Sequence, residues 1–327
     1  LDGDKVAFEC AQLLAEMIFD PLTEGKSFPE DIIEQEKRLL VETIENEQND
    51  KRRYAMLRCE QLMFADEAYG INRLGSVDEV KALTPADVYS AWREVLKKAT
   101  VQITMVSSMD PQPVAELIKD KFSEIERNPV EIKTQFVSGL PKPEYVCETM
   151  PLKQGKLVMG FSSDTAGDDD NTMPLMVMTD IFGGGPYSRL FDNVREKMSL
   201  CYYCSASSSR VKGLITVESG VEEQNAEKAE KAISEQLEIM KKGEFTDFEF
   251  SSSVKSLRDS LNSYNDSQPL LDLWYALKAV NKNLYSPEDI AEKISAVTRD
   301  EIIAAANGVK LHTVYKLLPK DEKTGGS

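Results

Sequence analysis

The stretch Gly183–Tyr203 reads GGGPYSRLFDNVREKMSLCYY and joins a glycine turn, an amphipathic helix and an aromatic strand without a spacer. Ser188 follows the glycines as a typical helix N-cap, and the apolar residues after it recur at helical spacing. The aromatic and cysteine residues that come next are typical of a strand. Because neighbouring side chains on a strand alternate, Tyr202 and Tyr203 are predicted to point to opposite faces. One of them can then face the same cleft as Arg195.

This order of residues resembles the pitrilysin or insulinase-type zinc metallopeptidases, a family that includes the mitochondrial processing peptidases. In that family a glycine-rich turn, S-R-L-F, R-E-K, a small residue and an aromatic pair mark the second of two homologous halves. The resemblance implies that Arg195 and Tyr202 match the pair that holds the substrate backbone across the cleft from the zinc. It also implies an α+β fold in which two sheet-plus-helices halves face each other like a clamp. A plain structural alternative is a helix cap followed by two core aromatic residues.

Internal similarity also favours a duplicated architecture. Phe28 and Phe245 each open a segment with helix-start residues, and Thr84 and Thr298 each precede an acidic residue by three positions, as in a capping box. The two pairs recur at nearly the same offset. If this offset is applied to the start of the sequence, Leu1 corresponds to about residue 215. The first half then has no counterpart of residues 144–214. The first half is therefore expected to be incomplete, with roughly 70 or more further residues upstream in the natural chain or a second chain that completes the fold.

The sequence divides into three predicted segments. Residues 1–125 are the remainder of the N-terminal half, residues 126–143 are a linker rich in proline, and residues 144–320 are the C-terminal half with the arginine and tyrosine motif. Each half is expected to end on a strand. The strands predicted from the pattern of apolar and polar residues are 101–106, 145–150, 156–162 and 312–317, with a helix at 172–182.

Without a sheet to pack on, the first helix of the incomplete half is expected to leave apolar side chains exposed. These side chains are Val6, Leu13, Leu14, Met17 and Ile18.

The zinc chemistry of the family requires residues that this sequence lacks. The family holds zinc with an inverted H-x-x-E-H helix and a further glutamate, whereas this sequence has one histidine, His312, on a predicted strand in an ordinary edge or core position. Alignment of residues 34–44 on the family pattern places Thr43 at the third ligand, and a shift of one residue restores Glu42. The segment 49–58, NDKRRYAMLR, resembles a bacterial branch that has lost the zinc motif. The chain is therefore predicted to hold no metal or other cofactor, with zinc in the family or in a partner subunit.

Composition excludes other classes of function. The chain has 39 Lys and Arg residues against 56 Asp and Glu residues, and its net charge of -17 disfavours nucleic acid and anionic membrane surfaces as partners. No apolar run approaches the roughly 20 residues that span a bilayer. Five cysteines without regular spacing favour reduced thiols and a cytoplasmic location. Cys201 and Cys204 form a C-x-x-C, but an offset of three predicts opposite faces of a strand, so neither redox nor metal chemistry is expected there.

These observations predict a non-catalytic, substrate-binding subunit of a pitrilysin-type zinc peptidase. It would bind extended peptides and supply Arg195 and Tyr202 to a catalytic partner, either a zinc-peptidase paralogue or a second copy of the chain. One alternative is a fragment of an active zinc endopeptidase with its H-x-x-E-H motif upstream and Glu42 as the third zinc ligand. Another is a scaffold with no hydrolytic role.

Overall fold

The computed structural model describes residues 3–131, 142–167, 171–209, 211–277 and 285–320 of the 327 in the chain. The α-helices are α1 (Gly3–Phe19), α2 (Glu30–Glu47), α3 (Lys51–Met63), α4 (Val77–Ala82), α5 (Pro85–Lys98), α6 (Gln112–Ser123), α7 (Thr172–Gly183), α8 (Ala226–Lys241), α9 (Asp247–Asn262), α10 (Gln268–Ala276), α11 (Pro287–Ala296) and α12 (Arg299–Asn307). The strands are β1 (Glu144–Met150), β2 (Gly155–Ser162), β3 (Cys201–Ser209), β4 (Leu214–Val221) and β5 (Lys310–Pro319). A π-helix spans Leu190–Lys197.

The chain forms two compact units and passes between them more than once. Unit 1 comprises residues 1–45, 74–133 and 267–280, and unit 2 comprises residues 46–73, 134–266 and 281–327. Most of the predicted linker at 126–143 lies outside the described residues. The domain limits drawn from the sequence stay a prediction.

Unit 2 is built on one mixed sheet of five strands in the order β1-β5-β2-β4-β3. β1 runs parallel to β5, β2 pairs antiparallel with β5 and β4, and β3 pairs antiparallel with β4. The predicted strands 145–150, 156–162 and 312–317 lie within β1, β2 and β5. The α+β fold class is thus confirmed, and β1 and β3 are the edges of the described sheet.

Helices cover both faces of this sheet. α7, α8 and the π-helix pack on one face against β2 and β3, and α3 packs on the other face against β2 and β5. The sequence of β2 explains the two layers, because Leu157, Met159 and Phe161 alternate with Val158 and all four side chains are buried.

Helix α3 belongs to the sheet unit, although its residues lie in the segment predicted as the N-terminal half. Its buried side chains Ala55 and Cys59 share a core cluster with Tyr315 of β5. Gly160 makes the close approach possible, since a Cβ atom at this position would lie 2.1 Å from the Sδ atom of Met63. The apolar stripe of α3 is therefore complementary to this sheet.

The described residues of unit 1 form helices α1, α2, α4, α5, α6 and α10 and no strand. The predicted strand at 101–106 is wrong, because this segment has no regular structure. A strand needs a hydrogen-bonded neighbour, and the described part of unit 1 contains no other. α1 packs on α6 through Ala15 and Val114. The predicted exposure of its other apolar face is confirmed for Val6, Leu13, Leu14, Met17 and Ile18.

The predicted capping boxes are confirmed in both units. The Thr84 side chain accepts from the backbone N–H of Asp87 at the start of α5, and Thr298 accepts from Glu301 at the start of α12. Each acidic side chain in turn accepts from the backbone N–H of its threonine. These reciprocal bonds satisfy donors that a helix N-terminus would otherwise leave unpaired.

Candidate functional site

The segment that follows α7 forms a π-helix where the sequence predicts an ordinary α-helix. Its wide turn is closed by the backbone N–H of Met198, which donates to the carbonyl of Asn193 at 3.0 Å. The Asn193 side-chain amide donates to the Arg189 carbonyl, also at 3.0 Å, and so occupies an acceptor of the preceding turn. Side-chain competition for backbone acceptors is a physical reason for the irregular helix.

Arg189 fixes the start of this π-helix to the helices around it. Its guanidinium donates to the side-chain oxygen of Gln236 in α8 at 3.0 and 3.1 Å, and it pairs with the Glu249 carboxylate in α9 at 3.2 Å. It also donates to the Glu244 carbonyl at 3.0 Å. Because Arg189 is buried and hydrogen-bonded to groups in and between α8 and α9, it fixes the start of the π-helix relative to these helices.

A tight turn then leads directly into β3. Ser199 adopts a left-handed backbone conformation with φ of 51°, which is uncommon for a residue other than glycine. The backbone N–H of Leu200 donates to the carbonyl of Val194 at 3.2 Å, so the turn folds back onto the π-helix. The turn therefore brings the end of the π-helix beside the first residues of β3.

An open pocket of about 380 Å³ lies at this junction. Its lining includes Arg195 from the π-helix and Tyr202 from β3, the two residues that the sequence singles out. Glu196, Ser199, Leu200, Cys201, Glu222 and Asn225 complete the lining. The structure thus places Arg195 and Tyr202 together, while their role in binding stays a prediction.

The guanidinium of Arg195 is held loosely. It lies 4.5 Å from the centre of the Phe191 ring, and its Nε atom is 3.6 Å from a carboxylate oxygen of Glu196. Its side chain is 38% exposed. A cation with one weak ionic partner and a solvent-facing surface can donate to a ligand without losing a buried interaction.

The hydroxyl of Tyr202 donates to the carboxylate of Glu222, which follows the last residue of β4. This hydrogen bond, together with the negative charge of Glu222, raises the pKa of Tyr202. Tyr202 is therefore a neutral hydrogen-bond donor at physiological pH, and Glu222 is an acceptor beside it. Glu222 was missed in the sequence, because its position opposite Tyr202 depends on the register of β3 and β4.

An irregularity in β3 decides which way its side chains point. Cys201 pairs with Val221 and Tyr203 pairs with Gly220, so Tyr202 is an extra residue in a β-bulge. Tyr203 lies on the α3 side of the sheet, where the Arg52 guanidinium is 4.4 Å from its ring centre. Tyr202 and Tyr203 therefore contact different groups, and only Tyr202 lines the pocket.

The bulge also corrects the prediction for the two cysteines. Val221 and Ser219 share a face of β4, and they pair with Cys201 and Cys204 respectively. Both cysteines consequently lie on the same face of β3, and both are buried. The prediction of opposite faces was wrong, because the simple alternation rule does not count the extra residue.

In the described ranges, the candidate zinc ligands named from the sequence do not come together in one site. Glu42 and Thr43 are exposed on α2, and the Thr43 hydroxyl donates to the Leu39 carbonyl at 2.8 Å. His312 is buried on β5, in the interior of the sheet, with its Nδ1 atom 2.9 Å from the Thr313 hydroxyl. Across the parts of the chain that the structure describes, no group of three or more His, Cys, Asp or Glu side chains could hold a metal ion.

None of the described helices combines the length and the apolar character needed to cross a membrane.

Similarity to known proteins is found over most of the chain. A family model described as "Peptidase M16 inactive domain" matches residues 82–257. The "Probable inactive metalloprotease YmfF" of Bacillus subtilis is 32% identical over 94% of this chain and 72% of that protein. A crystal structure of a conserved protein from Enterococcus faecalis superposes with a TM-score of 0.86 at 26% identity, covering 98% of this chain and 76% of that one.

A second solved structure carries the same family description. It is the peptidase M16 inactive domain from Pseudomonas fluorescens, with a TM-score of 0.79 at 20% identity over 98% of this chain and 77% of that one. At this level of identity the match shows the fold alone.

Proposed function

The chain belongs to the peptidase M16 family, to which the pitrilysin-type enzymes belong, and from that premise we propose that it is a non-catalytic subunit that binds extended peptides. The proposal rests chiefly on one observation, the pocket that joins Arg195 of the π-helix to Tyr202 of β3. A catalytic paralogue with zinc, or a second copy of this chain, would be its partner. A cytoplasmic location is part of the proposal.

The chemistry of the pocket suits a peptide backbone. An extended backbone presents carbonyl acceptors and N–H donors alternately, and the pocket offers donors of its own in Arg195 and Tyr202 and an acceptor in Glu222. In the proposal Arg195 donates to one peptide carbonyl. Tyr202 transfers its hydrogen bond from Glu222 to a second carbonyl, and Glu222 is then free to accept from a peptide N–H.

The neighbouring sheet edge supports the same mode of binding. β3 is an edge strand of the described sheet, and the pocket lies at its first residues. Extended peptides commonly bind by adding a strand to such an edge, where main-chain hydrogen bonds supply affinity and adjacent pockets supply specificity. The proposal therefore favours unfolded or extended segments over folded proteins as ligands.

If a catalytic partner completes the assembly, the two donors would act on charge that develops in the reaction. Tyr202 would donate to the oxyanion that forms at the scissile carbonyl, and Arg195 would orient the peptide. No residue of this chain is assigned as the base or as a metal ligand.

The experiment compares peptide binding by the unmodified protein and by two variants of the same π-helix. Fluorescence anisotropy with labelled extended peptides should give a Kd about tenfold or more higher for Arg195→Ala, since hydrogen bonds to charged groups contribute substantially. Lys197→Ala is the matched control, because Lys197 pairs with Asp192 and does not line the pocket. Equal affinity for the unmodified protein and Arg195→Ala would show that the assignment is wrong.

The alternative of an active zinc peptidase makes a separate prediction. It requires Glu42 as a ligand, so the natural full-length protein should contain about one zinc per chain and lose it in Glu42→Gln. The non-catalytic proposal predicts no dependence of zinc content on Glu42. Elemental analysis of purified protein separates the two.

A further inference from the structure

The β-bulge brings two thiols together in the wall of the candidate pocket. Cys201 lines the pocket, whereas Cys204 lies beneath the surface on the same face of β3. The positions opposite them, Val221 and Ser219, are two residues apart on β4. Two steps of about 3.3 Å along a strand separate the Cα atoms of Val221 and Ser219 by roughly 6.6 Å. The Cα atoms of the paired cysteines are therefore separated by about the same distance. This is near the upper end of the range of about 4.4–6.8 Å found in disulfides.

The local chemistry favours reaction at Cys201. A hydrogen bond from the Cys204 thiol lowers the pKa of Cys201 against the opposing effect of burial, and Ser219 and the positive charge of Arg195 act in the same direction. The same interaction raises the pKa of Cys204, as does its deeper burial. Cys201 is thus the sulfur that ionises more readily to the nucleophilic thiolate, and Cys204 is the thiol that can resolve an intermediate.

We propose that Cys201 and Cys204 form a redox-active dithiol that closes to an intrastrand disulfide and thereby controls the pocket. Hydrogen peroxide is the oxidant in this proposal. The Cys201 thiolate attacks one peroxide oxygen, the O–O bond breaks, and hydroxide leaves and takes up a proton as water. The Cys204 sulfur then attacks the Cys201 sulfenic acid, an S–S bond forms, the S–O bond breaks, and the hydroxyl leaves with the thiol proton as a second water. The two thiols lose two electrons, and the peroxide gains them.

Closure must change the bulge, because the two cysteines flank it. Most disulfides have a Cα separation of about 5.5–6 Å, which is shorter than two regular strand steps, so the bond draws Cys201 and Cys204 together and Tyr202, as the extra residue, shifts with the bulge. Its hydroxyl then leaves Glu222, and the donor and acceptor pair of the pocket is lost. This consequence for peptide binding rests on the proposed function, whereas the formation of the disulfide does not.

The first test is chemical. Reduced full-length protein is titrated with hydrogen peroxide and the remaining thiols are alkylated. The masses of the tryptic peptides are then measured by mass spectrometry. We expect the peptide with Cys201 and Cys204 to lose two hydrogens at peroxide levels that leave the exposed thiols of Cys10 and Cys147 largely alkylatable. If Cys10 and Cys147 oxidise while the pair still alkylates fully, the dithiol proposal is wrong.

The second test links the disulfide to the pocket through two readouts. Amide hydrogen exchange over residues 198–206 should change on oxidation, and Kd for a labelled peptide should rise about tenfold, the equivalent of one strong hydrogen bond. Cys204→Ser should bind peptide as the reduced protein does and show neither change under peroxide. Cys204→Ala serves if the serine variant does not fold, and Cys147→Ser should respond as the unmodified protein does.

The outcomes distinguish the two proposals. A reduced protein that binds no peptide overturns the proposed function, while hydrogen exchange still tests the link between disulfide and bulge. A disulfide that forms without altering exchange at 198–206 overturns the control of the pocket.

Discussion

Helices α1 and α7 are both rich in apolar residues, yet they differ in how much of their surface is buried. α7 buries ten of its twelve residues against the sheet and the helices of unit 2. α1 has seventeen residues, of which Ala15 is buried, and it exposes Leu13, Leu14 and Met17 in unit 1. The difference shows that apolar composition makes a helix ready for burial, whereas a sheet face supplies the area that buries it.

The largest expected effect tests the core of unit 2. Phe161→Ala should lower the free energy of unfolding by roughly 3–5 kcal/mol, because it leaves a cavity beneath a fully packed sheet. Urea denaturation measures the loss. Phe248→Ala is the matched control, since Phe248 lies in the same unit and is mostly exposed. A small effect at Phe161 would mean that the sheet unit is loosely packed and that the contrast with unit 1 does not hold.

A second prediction concerns a carboxylate on the α3 side of the sheet. Glu148 accepts from Arg58, Tyr54 and Tyr315, and its side chain is 29% exposed. Glu148→Gln should therefore destabilise unit 2 by roughly 1–2 kcal/mol at neutral pH, less than a fully buried charged hydrogen bond would. Glu144→Gln, exposed on the same strand, should have little effect.

The same carboxylate predicts a pH dependence. Partial burial opposes ionisation, but the hydrogen bonds from Arg58, Tyr315 and Tyr54 outweigh it, so the pKa of Glu148 lies below its ordinary value of 4.5. A lowered pKa in the folded state gives stability that is fully present above the ordinary value and is lost as the pH falls through the folded-state value. Unfolding curves of the unmodified protein and Glu148→Gln should thus converge as the pH falls below 4.5. Parallel curves would contradict this origin of the stability.

The capping boxes allow the two units to be compared through one identical change. Thr84→Ala in unit 1 and Thr298→Ala in unit 2 should each cost about 1 kcal/mol, because each removes the same side-chain acceptor from a helix start. Amide hydrogen exchange of α5 and α12 reports each helix separately. Thr84→Ser and Thr298→Ser, which keep the hydroxyl, should restore protection. A much larger loss in one unit would show that its helix depends on the cap more than on packing.

The smallest effect is expected on α1. Leu14→Gln should change the free energy of unfolding by less than about 0.5 kcal/mol, since this side chain is already more than half exposed. Chemical denaturation followed by circular dichroism measures it. The core substitution Leu175→Gln in α7 provides the contrast. A large loss at Leu14 would reveal that something covers α1 in solution.

Sequence patterns predicted the parts of the fold that depend on local rules. Strands β1 and β2 and the caps at Thr84 and Thr298 follow from alternation and from side-chain hydrogen bonds within a few residues. The prediction of a strand at 101–106 was wrong, because strand pairing requires two segments and the pattern of one segment does not reveal whether a partner exists. The packing of α3 on the sheet was not predicted, because it also depends on a contact between distant segments.

The candidate site was predicted in its residues more than in its geometry. Arg195 and Tyr202 were found through the motif and lie in one pocket. Glu222 and the shared face of Cys201 and Cys204 were missed, because both depend on a bulge that no alternation rule reveals. Strand register is set by long-range pairing, so a one-residue irregularity redirects every side chain beyond it.

The pocket also depends on one extra residue in each of two elements. A π-helix and a β-bulge each contain one residue more than the regular element they interrupt, and Arg195 lies on the first while Tyr202 lies in the second. A chain shorter by one residue at each place can keep the same helices and the same sheet pairing while the arginine and the tyrosine turn away from each other. Single-residue insertions and deletions are therefore enough to create or abolish the pocket, and the core of unit 2 need not be rebuilt.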